Sequence, residues 1–168
     1  MLDFFKGKNI ERLGIGSFGP IDINENSPSY GQLQKTPKID WIDYPLGAVL
    51  KEKLAVPIVV DTDVNVAAMS EAKWGNAQDV NTCLYITVGT GIGAGGYFHG
   101  KTLKGLSHPE MGHIKVLRHP EDEFAGNCPY HADCLEGMAA GPALEKRWGK
   151  KGPELADHSK VWELEAYY

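Results

Sequence analysis

Cys128-Pro-Tyr-His131-Ala-Asp-Cys134 spaces two thiols and an imidazole at successive intervals of three residues, in a chain with only three cysteines. No other segment restricts the local fold as much. Ligands at that spacing in a tight turn converge on one ion, and a neighbouring segment must supply the fourth to close a tetrahedron. The run therefore reads as a tetrahedral zinc site. His113 is the best fourth ligand, with His108 and His119 as rivals, His119 lying nearer the run. The competing reading makes Cys128 and Cys134 buried small hydrophobes or a disulfide, and the histidines surface residues. Four protein ligands leave no open coordination position, so this ion is structural rather than catalytic. Its binding energy falls short of the backbone entropy of ordering the loop. Leu117, Phe124 and Leu135 are therefore expected to pack against something as well.

The rest of the chain narrows the class. At 168 residues and 42% hydrophobic content it can bury a core, as one domain or one lobe of a larger enzyme. Lys and Arg total 17 against 22 Asp and Glu, for a net charge of −5 without a basic block. Nucleic acid is excluded as an expected partner, because its affinity rests on clustered cations. No apolar stretch reaches the length of a membrane span and the N-terminus lacks a signal-peptide pattern, so the expected address is cytoplasmic. Cys83, inside the apolar run Cys83-Leu-Tyr-Ile-Thr-Val88, reads as a core thiol in a reducing compartment.

Strand and helix signals alternate. A short strand within Ile10–Phe18 ends at Gly19-Pro20, and residues 22–42, rich in Asn, Ser, Pro and Gly, form an irregular excursion. Asp43 is placed to cap a helix with Pro45 in its first turn and Leu46, Val49, Leu50 and Leu54 at helical spacing. A buried strand at Pro57–Val60 then leads into a helix from Val64 to Trp74 that stops at Gly75. Residues 82–98 form a hairpin with the glycine-rich tip Gly89-Thr-Gly-Ile-Gly93. One helix is expected from Gly137 to Trp148, closed by Gly149, and another in the tail after Pro153. There is no internal repeat. The alternation predicts an α/β layer architecture.

Three constellations carry chemistry. The segment Thr87-Val-Gly89-Thr90-Gly91-Ile-Gly93 lets backbone approach an anion, with the Thr87 or Thr90 hydroxyl in support, or is an ordinary glycine-rich hairpin. Asp61-Thr-Asp63-Val-Asn65 falls where a strand meets a helix N-terminus; one Asp is expected to cap the helix and another to face a ligand, accepting a proton from a hydroxyl. Glu110 and Glu136 flank the cysteine loop and would line one wall if an ion draws its ends together, a wall suited to sugar hydroxyls. Singly, each reads as a solvated surface residue.

In order, Gly14-Ile-Gly-Ser-Phe-Gly-Pro-Ile-Asp22, Asp61-Thr-Asp-Val-Asn-Val-Ala-Ala68, Thr87-Val-Gly-Thr-Gly-Ile-Gly-Ala-Gly-Gly96, Glu110-Met-Gly-His113 and Cys128-Pro-Tyr-His-Ala-Asp-Cys-Leu-Glu-Gly137 resemble the ROK family of sugar kinases and sugar-responsive repressors. Within it the bacterial fructokinase branch looks nearest. The resemblance covers about residues 10–147 and implies an actin-like ATPase (ribonuclease H-like) sugar kinase fold, partial, with a zinc-stabilised loop. It implies residues 1–80 as part of an N-terminal lobe and 81–168 as the start of a C-terminal lobe, with ATP and sugar meeting between lobes.

On that resemblance Asp63 is the general base and Asn65 supports the same wall. Thr87, Gly89, Thr90, Gly91 and Gly93 bind phosphate, and Glu110, His113 and Glu136 contact sugar hydroxyls. His113, Cys128, His131 and Cys134 hold zinc, so His113 serves both metal and substrate wall. The implied reaction is ATP- and magnesium-dependent phosphorylation of a hexose, fructose to fructose 6-phosphate first. Family members that pair Asn with the catalytic Asp have Asn where this chain has Thr62, a departure that fits the fructokinase branch. Nothing before Leu13 resembles the family's first phosphate-binding hairpin, and the family's C-terminal lobe continues past position 168. The expectation is a fragment truncated at both ends, incompetent as an isolated kinase and open to self-association as a homodimer through exposed edges. The alternatives are a non-catalytic sugar-binding or regulatory domain of the same family and a zinc-stabilised interaction module.

Overall fold

A computed structural model describes residues 2–105 and 108–168. The chain divides into two compact units, Met1–Tyr85 with Gly95–Pro109, and Ile86–Ala94 with Glu110–Tyr168.

The first unit begins with a single helical turn, α1 (Leu2–Phe5), and is built on strands β1 (Leu13–Ser17) and β2 (Ile58–Thr62). They pair in parallel from Leu13 opposite Ile58 to Ser17 opposite Thr62. A parallel pair needs a long crossover, and residues 18–57 supply it, ending in helix α2 (Leu46–Leu54). The crossover doubles back so that Ile21, Ile23 and Leu33 bury with Val60, and Ile15, Phe18, Tyr30, Leu46 and Ile58 pack around them. The segment read as irregular thus supplies Ile23 and Leu33 to the unit's core.

Its turns are held by Asp22, whose carboxylate accepts from the Asn24 N–H at 3.0 Å and the Ser29 hydroxyl at 2.7 Å. Burial pushes the Asp22 carboxyl up, but the Ser27 and Ser29 hydroxyls and the Asn24 N–H outweigh it and hold it below its ordinary value. The crossover meets α2 at two glycines. Gly31 has φ +78°, and a Cβ there would lie 2.9 Å from Gly47 Cα, so only glycine permits both the conformation and the approach.

Helix α2 starts differently from expectation. Pro45 occupies the N-cap without a side-chain cap, whereas Asp43 sits two residues earlier with φ +57°. Asp43 instead takes a left-handed backbone conformation, which Asp tolerates better than most residues. Helix α3 (Asp63–Trp74) follows β2 without a loop and ends at Gly75 as the sequence predicts.

Strands β3 (Thr82–Val88), β4 (Ile92–Phe98) and β5 (Lys101–Thr102) form a sheet in that order. The expected hairpin is present, but its two runs are not equally buried. Central β4 buries Ile92, Ala94, Gly95 and Gly96, whereas edge strand β3 leaves Leu84, Ile86 and Val88 exposed, Val88 at 64%. Cys83 is half-buried, its thiol donating to the Ala68 carbonyl at 3.3 Å.

In the second unit the helix expected over 137–148 is two helices, α4 (Leu135–Ala139) and α5 (Gly141–Trp148). Ala140 between them is extended, at ψ 159°. Pro142 lacks an N–H and its ring collides with a preceding helical turn, so it fits only as the start of a new helix. The tail folds as a 3-10 turn (Gly152–Leu155) and helix α6 (Ser159–Glu165). Met138, Ala140, Ala143 and Leu144 of α4 and α5 are buried, as are Leu155 and Val161 of the tail. No helix among the described residues is long and apolar enough to cross a membrane.

Candidate functional site

In the first unit the Asp-rich segment lies at the carboxyl end of β2. Neither Asp caps α3, contrary to expectation: the Thr62 hydroxyl accepts the Asn65 N–H at 3.2 Å and fills the N-cap position. A Thr hydroxyl satisfies an orphan helix donor without spending a carboxylate. Asp61 is committed within the protein. It accepts from the Thr62 N–H at 2.8 Å, the Asn65 amide at 2.7 Å and the Thr102 hydroxyl at 2.8 Å.

Asn65 is only 1% exposed. Its amide donates to Asp61 and to the Leu103 carbonyl at 3.1 Å, and its carbonyl accepts the Gly96 N–H at 3.3 Å. One side chain thereby joins β2, β4 and the segment after β5. The approach is close enough that a Cβ on Gly95 would collide with the Val64 carbonyl and the Asn65 N–H. Asp63 stands apart from this knot. It is exposed at the first position of α3, and its carboxylate takes the neighbouring Val64 N–H at 2.9 Å. The helix terminus contributes about half a positive charge there. A cavity of about 910 Å³ opens beside Asp61, walled by Ile15, Val59, Met69, Trp74 and Phe98; the sequence carried no signal of it.

In the second unit His113, Cys128, His131 and Cys134 come together, with one ligand atom from each inside a 4.8 Å cluster. His113 Nδ1 lies 3.5 Å from Cys134 Sγ and 3.6 Å from Cys128 Sγ, and His131 Nδ1 lies 4.0 Å from Cys128 Sγ. Metal–sulfur bonds of about 2.3 Å and metal–nitrogen bonds of about 2.0 Å place unlike ligand atoms about 3.5 Å apart in a tetrahedron. The cluster fits an ion of that kind. Both cysteines are free thiols, not a disulfide. Burial pushes the Cys134 thiol up; Cys128 and Glu136 beside it add to this against an opposing hydrogen bond from Gly137. A divalent cation removes that conflict, because it favours thiolates outright. His119 packs its ring against Tyr167 and is not a ligand, and His108 also lies outside the cluster.

The loop is not held as its apolar residues suggest. Leu117 is 84% exposed, so it does not pack as expected, while Phe124 and Leu135 are half-buried. Phe124 lies beneath the Arg147 guanidinium, 4.7 Å from its ring centroid. Arg147 also pairs with Asp122 at 3.2 Å and with Glu165 at 2.5 Å, all three nearly buried. Nothing local in the sequence announces this knot.

Glu136 faces two ways. Its Oε2 accepts the Ile92 N–H at 3.0 Å beside the glycine tip, and its Oε1 stands 4.0 Å from His113 Nε2, the ring nitrogen turned away from the cluster. A carboxylate behind a metal-ligating histidine orients the ring. A Cβ on Gly91 would lie 2.7 Å from Glu136 Oε2. At the tip, the Gly89 carbonyl accepts the Gly141 N–H at 2.8 Å, fixing the loop to the start of α5. Thr87 and Thr90 are exposed and Gly93 is half-buried; Glu110 is exposed before the 3-10 turn Met111–His113.

The match to the ROK family spans residues 3–165. A Bacillus subtilis (strain 168) protein is 51% identical over the whole chain, which covers 56% of that relative. The fructokinase of Pediococcus pentosaceus is 44% identical over 96% of the chain, which again covers 56% of the relative. A solved ROK family glucokinase from Streptomyces griseus, in complex with glucose and AMPPNP, superposes with a TM-score of 0.62 at 31% identity. That superposition takes in 84% of this chain and 43% of the glucokinase. The chain thus spans about half the length of the relatives it matches.

Proposed function

The chain belongs to the ROK family, and we propose that it forms part of an ATP-dependent hexose kinase whose substrate is fructose, converted to fructose 6-phosphate. The observation that carries this reading is the contrast between two carboxylates two residues apart. Asp61 is bonded to three protein donors, whereas Asp63 is exposed at the end of β2 with a neighbouring backbone N–H on one oxygen. A general base must be within reach of a substrate hydroxyl and have an oxygen free to take its proton; Asp63 meets both conditions through its exposure.

Asp63 takes the proton of the sugar hydroxyl as that oxygen bonds to the γ-phosphorus and the bond to the ADP oxygen breaks. Magnesium, bound with ATP, neutralises the charge that spreads over the transferring group. Asn65 acts by position, fixing the start of α3. In the second unit the backbone of Gly89, Gly91 and Gly93, with the Thr87 and Thr90 hydroxyls, accommodates phosphate, and Glu110, His113 and Glu136 bind sugar hydroxyls. His113, Cys128, His131 and Cys134 hold zinc, which at four ligands is structural. Fructose is supported by the name of the Pediococcus pentosaceus relative and by Thr62 ahead of the base. The free thiols and the use of ATP suit the cytoplasm.

The test places these 168 residues in a full-length relative in exchange for its own segment. Asp63→Asn should lower kcat by about 10²–10⁴-fold while fructose still raises the unfolding midpoint. An unchanged kcat overturns the assignment of the base. Sugar binding with no phosphorylation in the unsubstituted chimera favours a non-catalytic sugar-binding domain. A kcat/KM for glucose above that for fructose overturns the choice of hexose.

A further inference from the structure

We propose that Arg147 is the positioning residue of the metal centre, holding both flanks of the Cys128–Cys134 ligand run from a single turn of α5. The inference rests on the reading of the four-residue cluster as a metal site. Downstream of the run, Arg147 Nη2 donates to the Met138 carbonyl at 3.1 Å, near the end of the helix whose N-terminal boundary is Cys134. Upstream, the adjacent Lys146 donates to the Gly126 carbonyl at 3.4 Å, two residues before Cys128. The segment from His113 to Cys128 is caught by the same guanidinium through Asp122. Asp122 in turn accepts the Phe124 N–H at 3.0 Å and the Tyr168 hydroxyl at 2.6 Å, and Tyr168 accepts the His119 N–H at 3.1 Å. Glu165 from α6 holds the other arm of the guanidinium, assisted by the Trp148 indole at 3.0 Å.

Stability alone does not account for this arrangement. A buried ion pair gains little over an apolar replacement, and among the described residues Arg147 Nε and Glu165 Oε2 are buried with no hydrogen-bond partner. A planar guanidinium does fix direction, because its donors form a rigid fork. Ligands held near their bound positions before the ion arrives lose less entropy on binding, which raises affinity without a new contact to the metal.

The experiment uses the 168-residue chain stripped of metal and titrated with zinc against a chromophoric chelator, with cobalt(II) absorption reporting the thiolate-rich tetrahedral site. Arg147→Met should weaken zinc binding by about 10–100-fold while reaching the same limiting cobalt spectrum. Tyr168→Phe, which removes one hydroxyl and little volume, should weaken it by about three- to fivefold. Leu33→Ala, in the core of the first unit, should leave it unchanged. Wild-type affinity in Arg147→Met overturns the inference, as does an equal loss in Leu33→Ala, which would make the effect one of general stability. If Arg147→Met does not fold, Tyr168→Phe decides, and wild-type affinity there overturns it. No zinc or cobalt binding by the wild-type chain overturns the metal reading itself and this inference with it.

Discussion

Each unit is held by its own chemistry. In the first, Ile21, Ile23, Leu33 and Val60 close an apolar core against a parallel strand pair, and the polar residues at its site, Asp61 and Asn65, are satisfied within the protein. In the second, the stretch between Met111 and Leu135 contains no α-helix or named strand; a Cys/His cluster and a buried Arg–carboxylate knot organise it. Apolar burial is non-directional and tolerates gradual loss. Ligand and ion geometry is directional, so that region depends on a few atoms.

The sharpest way to break the comparison is chelation, which tests the proposed zinc. A structural zinc contributes about 10–16 kcal/mol to the fold of a site that depends on it. Chelation should therefore raise hydrogen exchange across 114–134 while the amides of β1, β2 and α3 keep their protection. Uniform loss in both units would show that the contrast is false. Next in size is Leu33→Ala, expected to cost about 2–5 kcal/mol as a fully buried truncation. By denaturant unfolding its effect should fall on the first unit, with exchange in the metal loop unaltered.

Asn65→Ala comes third, at about 1–3 kcal/mol, since it leaves Asp61 and the Gly96 N–H short of a buried partner. Its exchange signature should appear at the Gly96 amide and the start of α3. The smallest effect is on acid titration. The Asp22 carboxyl is held below its ordinary value of 3.8 in the folded chain, so its contribution is present above about that pH and is lost as pH falls through the folded value. The second unit should open at higher pH, because protons compete with metal for thiolate and imidazole. An Asp22→Asn variant should flatten the low-pH slope in the first unit alone, read by amide exchange as a function of pH.

Legibility in the sequence followed the range of the interaction. The cluster ligands were readable because three of them fall in one run and the fourth heads the same loop. Strands β1 and β2, helix α3, the hairpin and the glycine stop at Gly149 were equally readable, since each is set by nearest neighbours and periodicity. Spacing alone left Asp61 and Asp63 equivalent, and only the family resemblance singled out Asp63; in the fold they differ because Thr102 and Asn65 reach Asp61. The knot around Arg147 was hidden, because its partners lie as far apart as Tyr168 and Asp122, 46 residues along the chain. Leu117 misled, since apolarity alone says nothing about whether a loop residue finds a surface.

By itself, then, the amino-acid order determined what is local: most element types, the run that carries two cysteines and a histidine, and the segments that carry carboxylates and glycines. Folding in three dimensions decided which of two carboxylates remains available, which strand of the hairpin is buried, and that a guanidinium from α5 holds the ligand loop. The physical reason is that propensity, capping and ligand spacing act within a few residues, whereas desolvation and charge pairing depend on groups that only the folded chain brings within hydrogen-bonding distance.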